Sequence, residues 1–156
     1  MPDTIDIADA KADDPEALRD ALVEQFAHLA DEVTALRTVV DGLPDAILEG
    51  RPEEGALSMK ELYGAIARLD AEVRPAQIDR LLQEDTPALS PVDVEADVFE
   101  DGWNEQPMAA ILDQVKTARR ALAEHLRALP LGAWHRTATL QDETVSLFAL
   151  VYRMTK

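Results

Sequence analysis

The fold is decided by the stretch LSMKELYGAIARLD, residues 57–70. Ser58 and Glu61 form the pattern S-x-x-E, a capping box in which each side chain accepts a hydrogen bond from the other residue's backbone N–H. Apolar side chains then recur at four- and three-residue steps, which places them on one helical face: Leu62, Ile66, Leu69 and Val73. The pattern predicts an amphipathic helix that begins at Met59.

Two longer helices are predicted before and after this one. Asp14 and Pro15 have the residue types of an N-cap and a first helical position, and a seven-residue apolar repeat continues to Val40. Its members are Leu22, Phe26, Leu29, Val33, Leu36 and Val40. Pro107 opens the other long helix, which runs to about Leu129. Both helices have an apolar stripe that must be covered by other helices.

The remaining segments are shorter. Pro75 should end the capping-box helix near Val73, and residues 76–82 then form a kinked continuation or a separate short helix. Residues 41–57 and 83–106 are predicted connections, the first with a helical turn at 45–48. No convincing strand is expected.

A fourth helix is predicted near the end of the sequence. Asp142 can cap it, and its apolar face begins at Val145 and includes Tyr152. It is shorter than its partners in a bundle should be, so we expect the sequence to stop within this helix. The periodicity predicts an all-α four-helix bundle over residues 14–156, preceded by a loose acidic tail at 1–13.

Composition and charge exclude several classes of function. The 156 residues carry a formal charge of −16, which disfavours nucleic acids and anionic membrane surfaces as partners. There is no cysteine, so disulfides, thiolate metal sites and cysteine nucleophiles are excluded, and a reducing cytoplasm is expected. Neither a signal peptide nor an apolar run long enough to span a bilayer is recognisable.

The charged residues and histidines give no metal site by their spacing. Residues 93–104 begin like a calcium-binding loop, but Val98 and Asn104 stand where such a loop needs Gly and a bidentate Glu. His28 and His135 are expected to be exposed. His125 lies beside the apolar face of its helix, and the usual state there is a buried histidine held by one hydrogen bond.

These features together resemble the DinB-like superfamily, which includes YfiT-type metalloenzymes and thiol-dependent transferases. The resemblance rests on Ser58-x-x-Glu61, on Arg68-Leu69-Asp70 and on the bridge LPLGAWHR at residues 129–136. It covers the sequence from about residue 15 onward. It implies a four-helix bundle with up-down-down-up topology, and it implies a homodimer.

The same resemblance implies a metal site made of one histidine in the second helix and an H-x-x-x-H pair in the fourth. Ala65 occupies the position of the first histidine, and the pair would lie just beyond residues 152–156. None of the three ligands is therefore found in this sequence. Loss of the imidazole leaves space near Ala65, and a pocket for an unidentified small molecule is predicted there. Its proposed lining is Ala65, Leu69, His125 and Tyr152.

Two classes of function follow. The first is a metal-free binding or dimerising module without a cofactor, and the second is a thiol-transferase or isomerase-type enzyme with an altered site that binds a divalent metal such as zinc or nickel. The missing first ligand favours the module. A third and weaker alternative is a regulatory partner that binds the acidic segment 83–106, which contains eight acidic residues and no basic one.

Overall fold

The computed structural model describes residues 14–90 and 98–155. The elements are α1 (Pro15–Val40), α2 (Asp45–Glu49), α3 (Met59–Arg68), a π-helical turn (Leu69–Val73), α4 (Arg74–Gln83), β1 (Ala88–Leu89), two 3-10 turns (Val98–Glu100 and Trp103–Glu105), α5 (Met108–Ala128), α6 (Leu131–Trp134), β2 (Thr137–Leu140), β3 (Glu143–Ser146) and α7 (Leu147–Met154). Within the described residues, no helix is both long enough and apolar enough to cross a membrane.

Helix α1 begins and ends at the residues predicted from its N-cap and from its seven-residue apolar repeat. The Asp14 carboxylate accepts a hydrogen bond from the backbone N–H of Ala17 at 3.0 Å, which is the expected N-cap contact. Of the predicted stripe, four side chains are buried and two are partly buried against the core. Helix α5 also has the predicted extent, and α2 forms at the predicted turn.

Pro75 does not end the capping-box helix. The chain widens into the π-helical turn at Leu69–Val73, where the N–H of Arg74 bonds to the carbonyl of Leu69, and continues as α4. Proline has no N–H to donate, and its ring crowds the preceding turn. In a π-helical turn each N–H bonds to the carbonyl five residues earlier, and this wider spacing accommodates Pro75. Of the two alternatives, a continuation or a separate short helix, the structure adopts the continuation, through a π-helical turn.

The prediction that the chain has no strand is wrong. Strands β2 and β3 form an antiparallel hairpin with Thr139 opposite Thr144, and β1 pairs in parallel with β2. The turn residues Gln141 and Asp142 have φ values of 50° and 66°, which is the left-handed pair typical of a type I′ turn.

The same hairpin corrects the start of the last helix. Asp142 lies in the turn, so it is not an N-cap. Helix α7 begins at Leu147, and the Ser146 hydroxyl caps it by accepting from the N–H of Ala149 at 3.2 Å.

The described chain divides into two compact units. The first unit contains residues 14–27, 76–90 and 123–155; it includes the sheet, α7 and a buried aromatic pair in which the rings of Trp134 and Phe148 are 5.3 Å apart. The second unit contains residues 28–75 and 98–122, and has a hydrophobic core in which α3 is covered by residues of α1, α5 and the 3-10 turns.

The acidic tail predicted at 1–13 and the calcium-loop-like residues 93–97 lie outside the described residues.

Candidate functional site

Ala65 lies at the centre of α3, and its methyl group is 3% exposed. It belongs to the hydrophobic core of the second unit, whose other buried members are Val33, Val40, Leu48, Ala67, Val98, Trp103, Met108, Ile111, Leu112 and Val115. Zinc and nickel are bound in proteins by imidazole, thiolate and carboxylate groups, and none of these buried side chains has one. The hydrophobic side chains of this cluster therefore offer no ligand atom to a divalent metal. The buried carboxylate one helical turn before Ala65, that of Glu61, is bonded to Arg51 and to the N–H of Ser58.

The indole ring of Trp103 covers the residue next to Ala65. A methyl group added at Gly64 would come within 2.1 Å of the ring atom Cδ2, so the ring lies directly on the backbone of α3. Trp103 follows Gly102, whose φ of 73° is readily adopted only by glycine. The Trp103 Nε1–H is buried and has no hydrogen-bond partner among the described residues. An aromatic side chain thus occupies the helix surface beside the predicted site.

A buried polar network holds the start of α3. The capping box is formed as predicted, with the N–H of Glu61 donating to Ser58 Oγ at 3.1 Å and the N–H of Ser58 donating to Glu61 Oε1 at 3.0 Å. Glu61 also accepts two hydrogen bonds from Arg51, at 2.9 and 2.6 Å. The hydrogen bonds from Arg51 hold the pKa of the Glu61 carboxyl below its usual range, and the N–H and hydroxyl of Ser58 add to the effect.

Two further contacts extend this network, one to the 3-10 turn at Trp103–Glu105 and one to α2. Ser58 Oγ donates to Asn104 Oδ1 at 2.6 Å, and the buried Lys60 ammonium bonds to Glu49 at 3.0 Å. As a consequence, α3 buries its polar first turn, and Leu62 at the predicted apolar face is exposed. The prediction for Leu62 is wrong because these hydrogen bonds and the Trp103 ring decide which side of α3 faces inward.

A second ionic cluster surrounds Asp70 in the π-helical turn. The Asp70 carboxylate is fully buried and accepts from Arg74 at 2.6 Å and from Arg119 at 2.5 Å. Burial lowers the pKa of the Arg119 guanidinium, and the negative charge of Asp70 counters part of this shift. The cluster joins α5 to the end of α3, and each of its charges has an opposite charge within hydrogen-bond distance.

The four residues of the predicted pocket have different surroundings. Ala65 and Leu69 are buried in the second unit. In the first unit, Tyr152 is partly buried in α7. The side chain of His125 is 45% exposed and lies 4.0 Å from Asp79, so the expectation of a buried histidine is wrong. The shared pocket of these residues stays a prediction.

His28 and His135 are exposed, as the sequence predicts. His28 lies 3.3 Å from Glu32, and the His135 ring meets Phe148 edge-on. Across residues 14–90 and 98–155, no group of three or more His, Cys, Asp or Glu side chains is placed to hold a metal ion.

Sequence patterns give no sign of the contacts made by Trp103, Asn104, Arg51 and Arg119. Asp70 and Arg74 are four residues apart, and this spacing is a recognisable sign of an ion pair on a helix. The other three contacts join segments 10 to 49 residues apart in the chain, and no local pattern encodes them.

One solved structure gives the comparison that bears on the fold. The chain is similar to YfiT from Bacillus subtilis, a probable metal-dependent hydrolase with an unusual four-helix bundle topology. The similarity covers 99% of this chain and 82% of that one, with a TM-score of 0.73 and 15% sequence identity. No protein-family model and no curated protein matches the sequence. The predicted YfiT-like four-helix bundle fold is confirmed, and the up-down-down-up order of its helices stays a prediction.

Proposed function

We propose that this protein is a binding module that uses the YfiT fold without a resident metal and without catalysis. The observation that carries the proposal is the surroundings of Ala65. A methyl group stands where the resemblance expects a metal-binding imidazole, and it packs into a hydrophobic core. A side chain in such a core stabilises the fold by burial and has no atom that could activate water or a thiol.

The ring of Trp103 gives independent support. A metal with open coordination positions needs space for water or substrate beside it. The Trp103 ring covers the surface of α3 at Gly64, and it belongs to the same hydrophobic cluster as Ala65. Alanine in place of the expected histidine and the Trp103 ring packed on α3 both support a structural role for this helix.

The alternative function is a metal-dependent enzyme of the thiol-transferase or isomerase type with an altered site. Its support is the similarity in fold to YfiT, which is a probable metal-dependent hydrolase. We place the module in the cytoplasm because a chain without cysteine suits a reducing compartment.

Thermal unfolding with and without metal separates the two functions. A ligand that binds the folded chain raises Tm by mass action, in proportion to the logarithm of its concentration over Kd. We expect the same Tm in EDTA, in excess zinc and in excess nickel. A Tm that falls in EDTA and returns with one of these metals would support the enzyme and overturn the module.

A further inference from the structure

The indole of Trp103 lies against bare backbone in the middle of α3. A methyl group added at Gly64 would meet three atoms of the five-membered indole ring, Cδ2, Cγ and Cε2, at 2.1 to 2.5 Å. Glycine weakens the interior of a helix relative to alanine, and this close approach explains why α3 contains one. The surface of α3 at Gly64 is therefore shaped to receive an aromatic ring.

The same five-membered ring contains a polar group that is not satisfied. Trp103 is 8% exposed, and its Nε1–H is buried without a hydrogen-bond partner among the described residues. A buried donor without a partner loses the hydrogen bonds that water would give it, so this N–H opposes the inward position of the ring. The apolar ring atoms favour that position. Trp103 is therefore held inward less strongly than an apolar side chain of the same size would be.

The backbone next to Trp103 is anchored independently of its ring. Asn104, the following residue, accepts a hydrogen bond from Ser58 Oγ at 2.6 Å and donates from Nδ2 to the carbonyl of Glu49 at 3.3 Å. A tryptophan side chain has two torsions of its own, which turn between staggered positions. The ring can therefore leave the surface of α3 while the 3-10 turn stays bound to it.

The surroundings of the ring decide which kind of molecule can replace it. Trp103 belongs to a cluster of hydrophobic side chains, and the buried charges at the start of α3 are already paired, Lys60 with Glu49 and Glu61 with Arg51. A charged ligand would be buried here without a partner. The charge of −16 on the chain would repel an anion as well. The site suits a neutral, planar aromatic molecule.

We propose that Trp103 closes a binding site for such a molecule on the surface of α3 at Gly64, and that the molecule takes the place of the Trp103 ring. The inference rests on the proposed binding function and gives it a ligand class. The exchange keeps an aromatic ring buried, and the displaced Nε1–H gains hydrogen bonds to water. Met108 in the cluster and Met59 against it have thioether chains that adapt to the shape of a ligand. The open site is a minor conformation that the ligand makes dominant.

NMR of the ¹⁵N-labelled wild-type chain, titrated with unlabelled indole, tests this inference. The sequence has two tryptophans and therefore gives two indole N–H signals, which a Trp134→Phe variant assigns. We expect the Trp103 signal to move saturably towards that of an indole in water and to exchange faster with solvent. Trp134 lies in the first unit and is the internal reference, so its signal should stay in place.

Three variants locate the site. Gly64→Ala places a methyl group where the ligand must lie, so its Kd for indole should rise about tenfold or more. Gly132→Ala is the matched control and should keep the wild-type Kd, because its methyl meets no atom within 4 Å. Trp103→Ala removes the competing ring and should bind indole about tenfold more tightly or better. The reason is that the wild-type Kd is raised by the small fraction of chains with the ring turned out.

Circular dichroism shows whether each variant is folded, and the wild-type titration decides alone where one is not. A wild-type Trp103 signal that stays in place up to the solubility limit of indole overturns the inference. Movement of the Trp103 and Trp134 signals together overturns it as well, and so does a folded Gly64→Ala variant with the wild-type Kd. None of these results bears on the metal-free proposal, which fails only if a metal stabilises the chain.

Discussion

At the scale of single residues, Asp70 has the strongest structural role that the contacts assign. Its buried carboxylate is the shared partner of Arg74 and Arg119, and the Arg119 guanidinium is itself almost fully buried. When one partner of a buried ion pair is neutralised, the other charge stays buried without compensation. The resulting loss in the free energy of unfolding is larger than the net stabilisation that the intact pair provides. The contacts therefore assign Asp70 a role in stabilising the fold.

Neutralising Asp70 should destabilise the protein strongly. We expect Asp70→Asn to lower the free energy of unfolding by about 3–5 kcal/mol, because Arg119 stays charged and buried. Urea unfolding measures the change. Asp41→Asn, at an exposed position, is the matched control and should stay within about 0.5 kcal/mol of the wild type. Equal unfolding free energies for the two variants would contradict the role of Asp70.

Glu61 should make stability depend on pH. Its pKa is lower in the folded chain than in the unfolded one, so its stabilising contribution is present above about pH 4.3 and is lost as the pH falls through the folded pKa. Glu61→Gln should be less stable than the wild type at neutral pH and should lose less stability on acidification. Thermal unfolding over a pH series measures both effects. Glu53→Gln at an exposed position is the control, and a Glu61→Gln profile parallel to the wild type would refute the contribution.

At the scale of elements, the close contact of α3 with the 3-10 turn depends on a missing side chain. Gly64→Ala would force the added methyl against the Trp103 ring, which is backed by the core. We expect a loss of about 1–3 kcal/mol, as for overpacked cores. Gly132→Ala in α6 is the control, because a methyl there meets no atom within 4 Å and should be neutral or slightly stabilising. Chemical unfolding that shows Gly64→Ala to be as stable as Gly132→Ala would contradict this packing.

The hairpin between β2 and β3 has unfavourable turn residues. Gln141 and Asp142 both adopt positive φ, which costs free energy for a residue with a side chain and little for glycine. Asp142→Gly should therefore raise the free energy of unfolding by roughly 0.5–1 kcal/mol. Thr144→Gly, in β3 beside the turn, is the control and should destabilise, because glycine weakens a strand. A fall in Tm for Asp142→Gly would show that the turn conformation is different.

Local patterns predict the helices well and the strands poorly. α1 is predicted to its end residues because a cap, an N1 proline and a long stripe agree. The hairpin is missed because Gln-Asp is not a usual type I′ pair and because the apolar residues that follow it also suit a helix. The orientation of Leu62 is missed for another reason: contacts with residues distant in sequence decide it.

At the scale of the whole molecule, the chain has the fold of YfiT at 15% identity, with an alanine at the position where the resemblance expects a ligand. Helix geometry and core burial can be kept by many sequences, whereas a metal site needs particular donor atoms at particular positions. The fold and the chemistry can thus separate. This is the reason why the similarity in fold does not by itself carry the activity to this chain.

The metal content of the purified chain tests the central claim most directly. The chain is produced in medium supplemented with zinc and nickel, purified without chelator, and measured by elemental analysis against its protein concentration. Because Ala65 and its core supply no ligand atoms, we predict metal far below one equivalent per chain. One equivalent of zinc or nickel that survives purification would contradict the account.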